Sequence, residues 1–158
     1  MMVRIKDLLQ DDLVIDEITA VDKDGVLKEF GRLLKTSGRV QDEGEVVRVL
    51  TEREALGSTG IGDGVAIPHG KMEGLRQMIV AFGRSRKGVE FQALDGMPVF
   101  LFFLLLTPLD RPGEHLKALA RISRILKNPL LRERLRNGSG QKELHRLIIE
   151  EDGKYSQP

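Results

Sequence analysis

The chain has no cysteine among its 158 residues, so disulfides, thiolate metal sites and a cysteine nucleophile are excluded. Positive and negative charges nearly cancel, and the formal net charge of +1 leaves no basic field of the kind that binds nucleic acid. The longest apolar run, Val99–Leu106, is far shorter than the roughly 20 residues of a membrane-spanning helix. The N-terminus lacks the apolar core of a secretory signal. We therefore expect a cytoplasmic protein that neither inserts into a membrane nor binds nucleic acid.

Length and patterning indicate one α/β domain. The chain is long enough to bury a substantial core but has no room for a second domain, so we expect a single domain over 1–158, with a frayed tail at 153–158. The apolar run Val99–Leu106 lies between Pro98 and Pro108, which is typical of a strand in the middle of a helix-covered sheet. A buried helix is the competing interpretation, but the short run and its prolines disfavour it.

Shorter apolar segments are expected to add strands to this sheet. Leu13–Ile15 is predicted to be a short opening strand and Met78–Phe82 a longer one, because both are rich in β-prone residues. Arg84–Gly88 is predicted to be a turn and Val89–Phe91 a short return strand, which together would form a hairpin-like structure.

The stretch Gly57–Lys71 has the composition of a ligand-binding turn. Four glycines in its first half, with two hydroxyl side chains among them, allow the backbone to approach a phosphate closely. The short apolar run Val65–Ile67 then leads to Pro68, which fixes the backbone before His69. The glycine spacing fits neither a P-loop nor a dinucleotide fingerprint. We therefore expect a glycine turn that holds His69 rigidly at the end of a strand.

Arg53 and His115 are further candidates for this site. Arg53 falls on the inward stripe of a helix whose apolar positions are Val46, Val49, Leu50 and Leu56. A buried guanidinium needs a partner, so Arg53 either meets a carboxylate or points at an anion near the glycine turn. His115 follows the central strand, in the first turns of a helix that Asp110 can cap and Pro112 can open. On the residues alone, His115 either faces a ligand or is an ordinary half-buried histidine.

The sequence of Gly57–Lys71 resembles the active-site signature of the enzyme IIA proteins of the bacterial phosphotransferase system. It reads Gly-Ser-Thr-Gly-Ile-Gly-Asp-Gly-Val-Ala-Ile-Pro-His-Gly-Lys. It is similar to the fructose/mannitol family and most similar to its nitrogen-branch members. Phe91–Asp95, Pro98–Pro108 and Arg132–Arg136 extend the resemblance over nearly the whole chain. It implies the mannitol-type fold, a single α/β domain with a mixed, mostly parallel sheet of about five strands and helices on both faces.

The resemblance also implies an activity. His69 would be phosphorylated at Nε2 by a histidine phosphocarrier protein, with Arg53 and His115 close to the phosphohistidine. Phosphoryl transfer depends mainly on positioning and charge stabilisation, which Arg53, His115, the glycine-loop N–H groups and the hydroxyls of Ser58 or Thr59 can supply. With phosphohistidine as the donor, no cofactor, nucleotide or Mg²⁺ is expected. No metal is expected either, because the three histidines lack a zinc-like spacing. We assign no function to the third histidine, His145.

The sequence leaves two functions open. A sugar-transport enzyme IIA would pass its phosphoryl group to the cysteine of an enzyme IIB. A regulatory module would instead use the charge of the phosphohistidine to switch its affinity for target proteins, as the nitrogen-branch resemblance implies. The chain contains neither an enzyme IIB cysteine nor a membrane domain, which favours regulation. A degenerate domain that no longer accepts phosphate is disfavoured by the intact His69, Arg53 and His115.

Overall fold

The computed structural model describes residues 3–155, which form a six-stranded sheet, five α-helices and two short 3-10 turns. The strands are β1 (Val14–Ile15), β2 (Gly60–Gly62), β3 (Val65–Ala66), β4 (His69–Met72), β5 (Ile79–Val89) and β6 (Val99–Pro108). The helices are α1 (Lys23–Thr36), α2 (Glu43–Ala55), α3 (Pro112–Leu126), α4 (Pro129–Asn137) and α5 (Gln141–Gly153). Within residues 3–155, no helix combines the length and apolar character needed to cross a membrane.

The sheet is mixed and is built around β6. Its strand order is β1-β5-β6-β3-β2, and β4 pairs with β6 beyond β3. The pairs β1–β5, β3–β6 and β4–β6 are parallel, whereas β5–β6 and β2–β3 are antiparallel. β3 and β4 run along the same side of β6 in succession, with Ala66 paired to Phe102 and His69 paired to Leu105. The first residues of β4 therefore lie beside the second half of the central strand.

Helices cover both faces of the sheet, as predicted. On β5, a Cβ at Gly83 would lie 2.6 Å from Ile18 Cδ1 and 3.0 Å from Phe30 Cζ of α1. The next residue, Arg84, donates from Nη1 to the Leu135 carbonyl of α4 at 2.7 Å. Successive side chains of a strand point to opposite faces, so α1 and α4 lie on opposite sides of the sheet.

The central strand confirms the prediction made from its apolar run. Leu101 to Leu106 are each no more than 1% exposed, which is the burial expected for a strand covered on both faces. Phe102 and Phe103 point to opposite faces and make edge-on ring contacts with Phe91 and Phe82 respectively. One apolar strand therefore supplies the core on both sides of the sheet.

The turn predicted at Arg84–Gly88 is wrong, because β5 continues through it to Val89. The charged residues misled the prediction, since Arg84 is fully buried rather than solvated. Its guanidinium donates to the side chain and carbonyl of Asp16 and to the carbonyls of Leu135 and Arg136. A register shift between Arg84 and Val89 accommodates the longer strand.

Three smaller predictions need correction or qualification. Leu56 is 84% exposed, because α2 ends at Ala55 and the inward stripe ends with it. Arg111 rather than Asp110 is the N-cap of α3, although Pro112 does open the helix. Of the tail expected to fray, Gly153 closes α5 and the Tyr155 carbonyl accepts from Arg121 Nη1 at 2.9 Å. Positions 156–158 of that tail lie outside the described residues.

Candidate functional site

A close approach of α2 to β4 brings the candidate residues together. A Cβ at Gly70 would lie only 2.5 Å from Val49 Cγ1, so the absence of a side chain at Gly70 lets the helix pack directly on the strand. Arg53 lies one helical turn after Val49, and His69 immediately precedes Gly70. This packing places the end of α2 beside the start of β4.

His69 lies at a strand terminus, but it begins a new strand, β4, rather than ending the one predicted from the apolar run before Pro68. Its half-buried ring places Nδ1 2.7 Å from the Ile67 carbonyl oxygen. A carbonyl can only accept, so Nδ1 carries the proton and Nε2 carries the lone pair of the neutral ring. The intervening Pro68 is fixed by its own carbonyl, which accepts from the Leu105 N–H at 3.0 Å. The backbone thus sets both the orientation and the tautomer of His69.

The environment of His69 favours the uncharged imidazole. Burial lowers its pKa below the usual value, and the positive charge of Arg53 acts in the same direction. The Ile67 carbonyl and the Glu54 carboxylate oppose this shift without overcoming it. Near neutral pH the ring is therefore a neutral nucleophile rather than an imidazolium.

His115 comes from the first turns of α3, and its ring lies beside that of His69. The two ring centroids are 5.5 Å apart. His115 is 6% exposed, and its Nδ1 lies 2.7 Å from Oγ1 of Thr107. Burial, with the charges of His69 and Lys71, lowers the pKa of His115 to about 4. The second imidazole is therefore also uncharged at neutral pH.

Arg53 is half-buried at the end of α2, and its Nη1 donates to the Gly57 carbonyl at 2.9 Å. Within residues 3–155 it makes no ion pair with a carboxylate, so the carboxylate alternative raised by the sequence does not hold. The contact with Gly57 fixes the guanidinium at the entrance of the glycine turn. Its charge acts on the imidazole of His69.

The two hydroxyls of the glycine turn have different surroundings. Ser58 is half-buried, and its Oγ accepts from the Gly60 N–H at 3.0 Å. Thr59 is only 3% exposed, and its hydroxyl donates to the Glu54 carboxylate, which also accepts from the Thr59 N–H at 3.1 Å. Lys23 Nζ lies 3.1 Å from the same carboxylate. Thr59 therefore anchors the turn to α2, whereas Ser58 is closer to solvent.

Sequence reasoning missed three polar residues around this site. Glu54 is four residues after Leu50, so its inward position was readable from the helical period. Lys71 is two residues after His69 on β4, so strand alternation places both side chains on one face. Thr107 gave no such signal, because it stands among apolar neighbours near the end of β6 and its contact with His115 depends on the packing of α3.

Other groups of the described chain lie apart from this arrangement. His145, which was given no function, has Nε2 2.7 Å from the Leu9 carbonyl and so joins α5 to the N-terminal segment. Within residues 3–155, no three His, Cys, Asp or Glu side chains converge in a way that could hold a metal ion. The chemistry available here is that of two neutral imidazoles beside a guanidinium.

Two neutral imidazoles beside a guanidinium, on an α/β domain of this topology, have the chemistry that phosphoryl transfer requires, because a neutral imidazole nitrogen can act as a nucleophile and a guanidinium can stabilise phosphoryl charge. Residues 7–151 match the family described as the phosphoenolpyruvate-dependent sugar phosphotransferase system, EIIA 2. The chain belongs to this family, whose members are phosphotransfer proteins. The predictions of family and fold class are confirmed.

Individual relatives point to both branches of the family. A nitrogen regulatory protein of Bradyrhizobium diazoefficiens is 36% identical over 145 residues, which cover 91% of this chain and 94% of that protein. The fructose-specific EIIABC component of Bacillus subtilis is 32% identical over 149 residues, covering 94% of this chain and 24% of that protein. The crystal structure of nitrogen regulatory protein IIA-Ntr from Neisseria meningitidis superimposes with a TM-score of 0.84 at 36% identity, over 91% of this chain and 98% of that one.

Proposed function

We propose that His69 accepts a phosphoryl group from the phosphohistidine of a histidine phosphocarrier protein, and that the phosphorylation state of the chain regulates its binding to target proteins. The observation that carries the proposal is the 2.7 Å contact between His69 Nδ1 and the Ile67 carbonyl. It holds the proton at Nδ1 and leaves the Nε2 lone pair for attack on phosphorus.

The transfer balances without a cofactor. Nε2 of His69 forms a bond to phosphorus as the bond from phosphorus to the donor imidazole breaks, and that electron pair returns to the donor ring. The proton on Nδ1 stays in its hydrogen bond to Ile67. Arg53 and His115 stabilise the charge on the equatorial phosphoryl oxygens, with a further contribution from the Ser58 hydroxyl and the loop N–H groups.

Phosphorylation changes the electrostatics of this surface. A neutral imidazole becomes a group of about −2 charge, which can form new charge-assisted contacts with a partner or repel one. The regulatory role is supported by the similarity to nitrogen regulatory proteins over nearly the full length of both chains. The alternative is delivery of the phosphoryl group to the cysteine of an enzyme IIB during sugar uptake, which the similarity to a fructose-specific component favours.

The assignment of His69 is tested by incubating the chain with phosphorylated phosphocarrier protein and mapping the modified residue by mass spectrometry under neutral conditions. We expect label on His69, no label in His69→Ala, and full label in the matched control His145→Gln. Label on any other residue contradicts the assignment.

The branch is tested by adding a fructose-type enzyme IIB to the phosphorylated chain. Retention of the phosphoryl group on His69 supports the regulatory role. Rapid transfer to the enzyme IIB cysteine supports sugar transport instead.

A further inference from the structure

Thr107 lies close to the site, although no transfer step described above involves it. It is the penultimate residue of β6 and is fully buried. Its Oγ1 lies 2.7 Å from Nδ1 of His115, whose ring is itself only 6% exposed. Register pairs Thr107 with Lys71 across β4 and β6, so the contact is built into the sheet next to His69.

Two proton arrangements are compatible with this contact. In one, the Thr107 hydroxyl donates to Nδ1 of His115, and the imidazole proton is on Nε2. In the other, Nδ1–H donates to Oγ1, and the hydroxyl proton needs an acceptor of its own. Within residues 3–155, His115 is the one hydrogen-bond partner of this hydroxyl. The second arrangement leaves a donor unsatisfied in the interior, which is unfavourable, so burial selects the first.

We propose that Thr107 is a positioning residue that donates its hydroxyl proton to Nδ1 of His115 and thereby holds this ring in the Nε2–H tautomer. The inference rests on the proposed function, because the Nε2–H is the group that donates to a phosphoryl oxygen on His69. Phosphoryl oxygens only accept, so the opposite tautomer would direct a lone pair at them.

The charge state of His115 makes the tautomer decisive. An imidazolium would donate from both nitrogens, and Thr107 would have no influence on which proton faces the phosphoryl group. The low pKa of His115 keeps the ring neutral at physiological pH, with a single N–H. Backbone and side chain thus set opposite tautomers on the two rings: His69 has its proton on Nδ1 and His115 has its proton on Nε2.

The tautomer is measured directly by ¹⁵N NMR of the unphosphorylated, histidine-labelled chain at pH 7. We expect the wild-type chain and Thr107→Ser to have His115 in the Nε2–H form, and the isosteric Thr107→Val to populate both forms. A wild-type ring with its proton on Nδ1 overturns the proposal, and this measurement requires no variant that could fail to fold.

Phosphorylation kinetics supply the second readout. We expect Thr107→Val to slow phosphorylation of His69 by about tenfold, by analogy with the losses of about 10- to 100-fold seen when the hydrogen-bond partner of a metal-bound histidine is removed. Thr107→Ser should restore the rate, because it restores the donor. A wild-type rate and an unchanged tautomer in folded Thr107→Val overturn the proposal.

Failure of this inference can be distinguished from failure of the proposed function. The tautomer is read without any phosphoryl donor, so it can be wrong while His69 still becomes labelled. If His69 takes no label from the phosphocarrier, the proposed function fails, and the NMR result still reports on Thr107.

Discussion

The imidazole rings of His69 and His115 lie at an interplanar angle of 53° with their centroids 5.5 Å apart, and both have lowered pKa values. Two imidazolium ions at this distance would repel each other, whereas two neutral rings can divide the chemistry of transfer between them. One ring offers a lone pair and the other offers an N–H. This division suits the proposed transfer, in which the lone pair attacks phosphorus and the N–H donates to a phosphoryl oxygen.

The buried His115 should make stability depend on pH. Its folded pKa of about 4 lies below the unfolded value of 6.5, so the unfolded state binds more protons between these values. The stabilising contribution is complete above pH 6.5 and is lost as pH falls towards 4. The contribution of His115 to the free energy of unfolding amounts to no more than about 3 kcal/mol.

Urea unfolding at pH 7 and pH 5 checks this expectation. The wild-type chain should lose more stability on acidification than His115→Gln, since the substitution removes the titrating ring. Equal losses in the two proteins would show that His115 does not take up a proton on unfolding.

Arg53 should affect both the rate of phosphorylation and the titration of His69. Arg53→Ala removes a positive charge that lowers the pKa of His69, so this pKa should rise. Loss of a charge-stabilising donor should slow phosphorylation by about 100-fold. Histidine NMR titration and a phosphorylation time course measure the two effects.

The matched control is Arg48→Ala on the same helix. Arg48 is exposed and pairs with Glu45 and Glu52, so its removal should leave both the titration and the rate unchanged. An equal effect of the two substitutions would indicate a general change of surface charge rather than a specific role for Arg53.

Glu54 should stabilise the glycine turn. Its carboxylate accepts from the N–H and hydroxyl of Thr59 and pairs with Lys23, all in a largely buried setting. Glu54→Ala leaves these donors without their acceptor and should lower the free energy of unfolding by about 2–4 kcal/mol. Denaturant unfolding measures the loss.

Glu52→Ala is the control for this prediction. Glu52 is exposed and its partner Arg48 is on the surface of α2, so we expect a change of about 0.5 kcal/mol or less. If Glu54→Ala were as mild as Glu52→Ala, the Thr59 contacts would contribute little to holding the turn.

The sequence predicted the fold best where one physical pattern dominates. The apolar run at Val99–Leu106 predicted the central strand, because a short continuous apolar run between prolines is typical of a strand covered on both faces. The prediction from sequence failed at Arg84, where the local charges indicated a turn. The guanidinium is instead buried, and it donates to carbonyls and a carboxylate from distant segments. Those partners come from far along the chain, and no local pattern indicates them.

The candidate site was likewise predictable from the sequence only in part. The signature around His69 identified the candidate nucleophile, and Pro68 indicated that it lies at a strand terminus, but the strand that begins at His69 was not predicted. Its tautomer could not be read from the sequence, because it depends on the distance from Nδ1 to one carbonyl. Thr107 could not be found at all, since its role arises where α3 packs over β6.

Gly70 should be required for the approach of α2 to β4. A methyl group there would lie 2.5 Å from Val49 Cγ1, so in Gly70→Ala either the Val49 side chain or the helix that carries it must shift. Because valine has one strongly preferred rotamer in a helix, we expect the helix to move. We expect a loss of about 1–3 kcal/mol in the free energy of unfolding, and slower phosphorylation because Arg53 moves with the helix.

Val49→Ala in the Gly70→Ala background removes the clashing group and should recover part of the rate. Gly153→Ala is the control, because a methyl group there meets no atom within 4 Å. It should leave the rate unchanged and should not lower the free energy of unfolding, since alanine is favoured over glycine in a helix by up to about 1 kcal/mol. A Gly70→Ala protein with wild-type stability and rate would mean that the packing of helix on strand does not position Arg53.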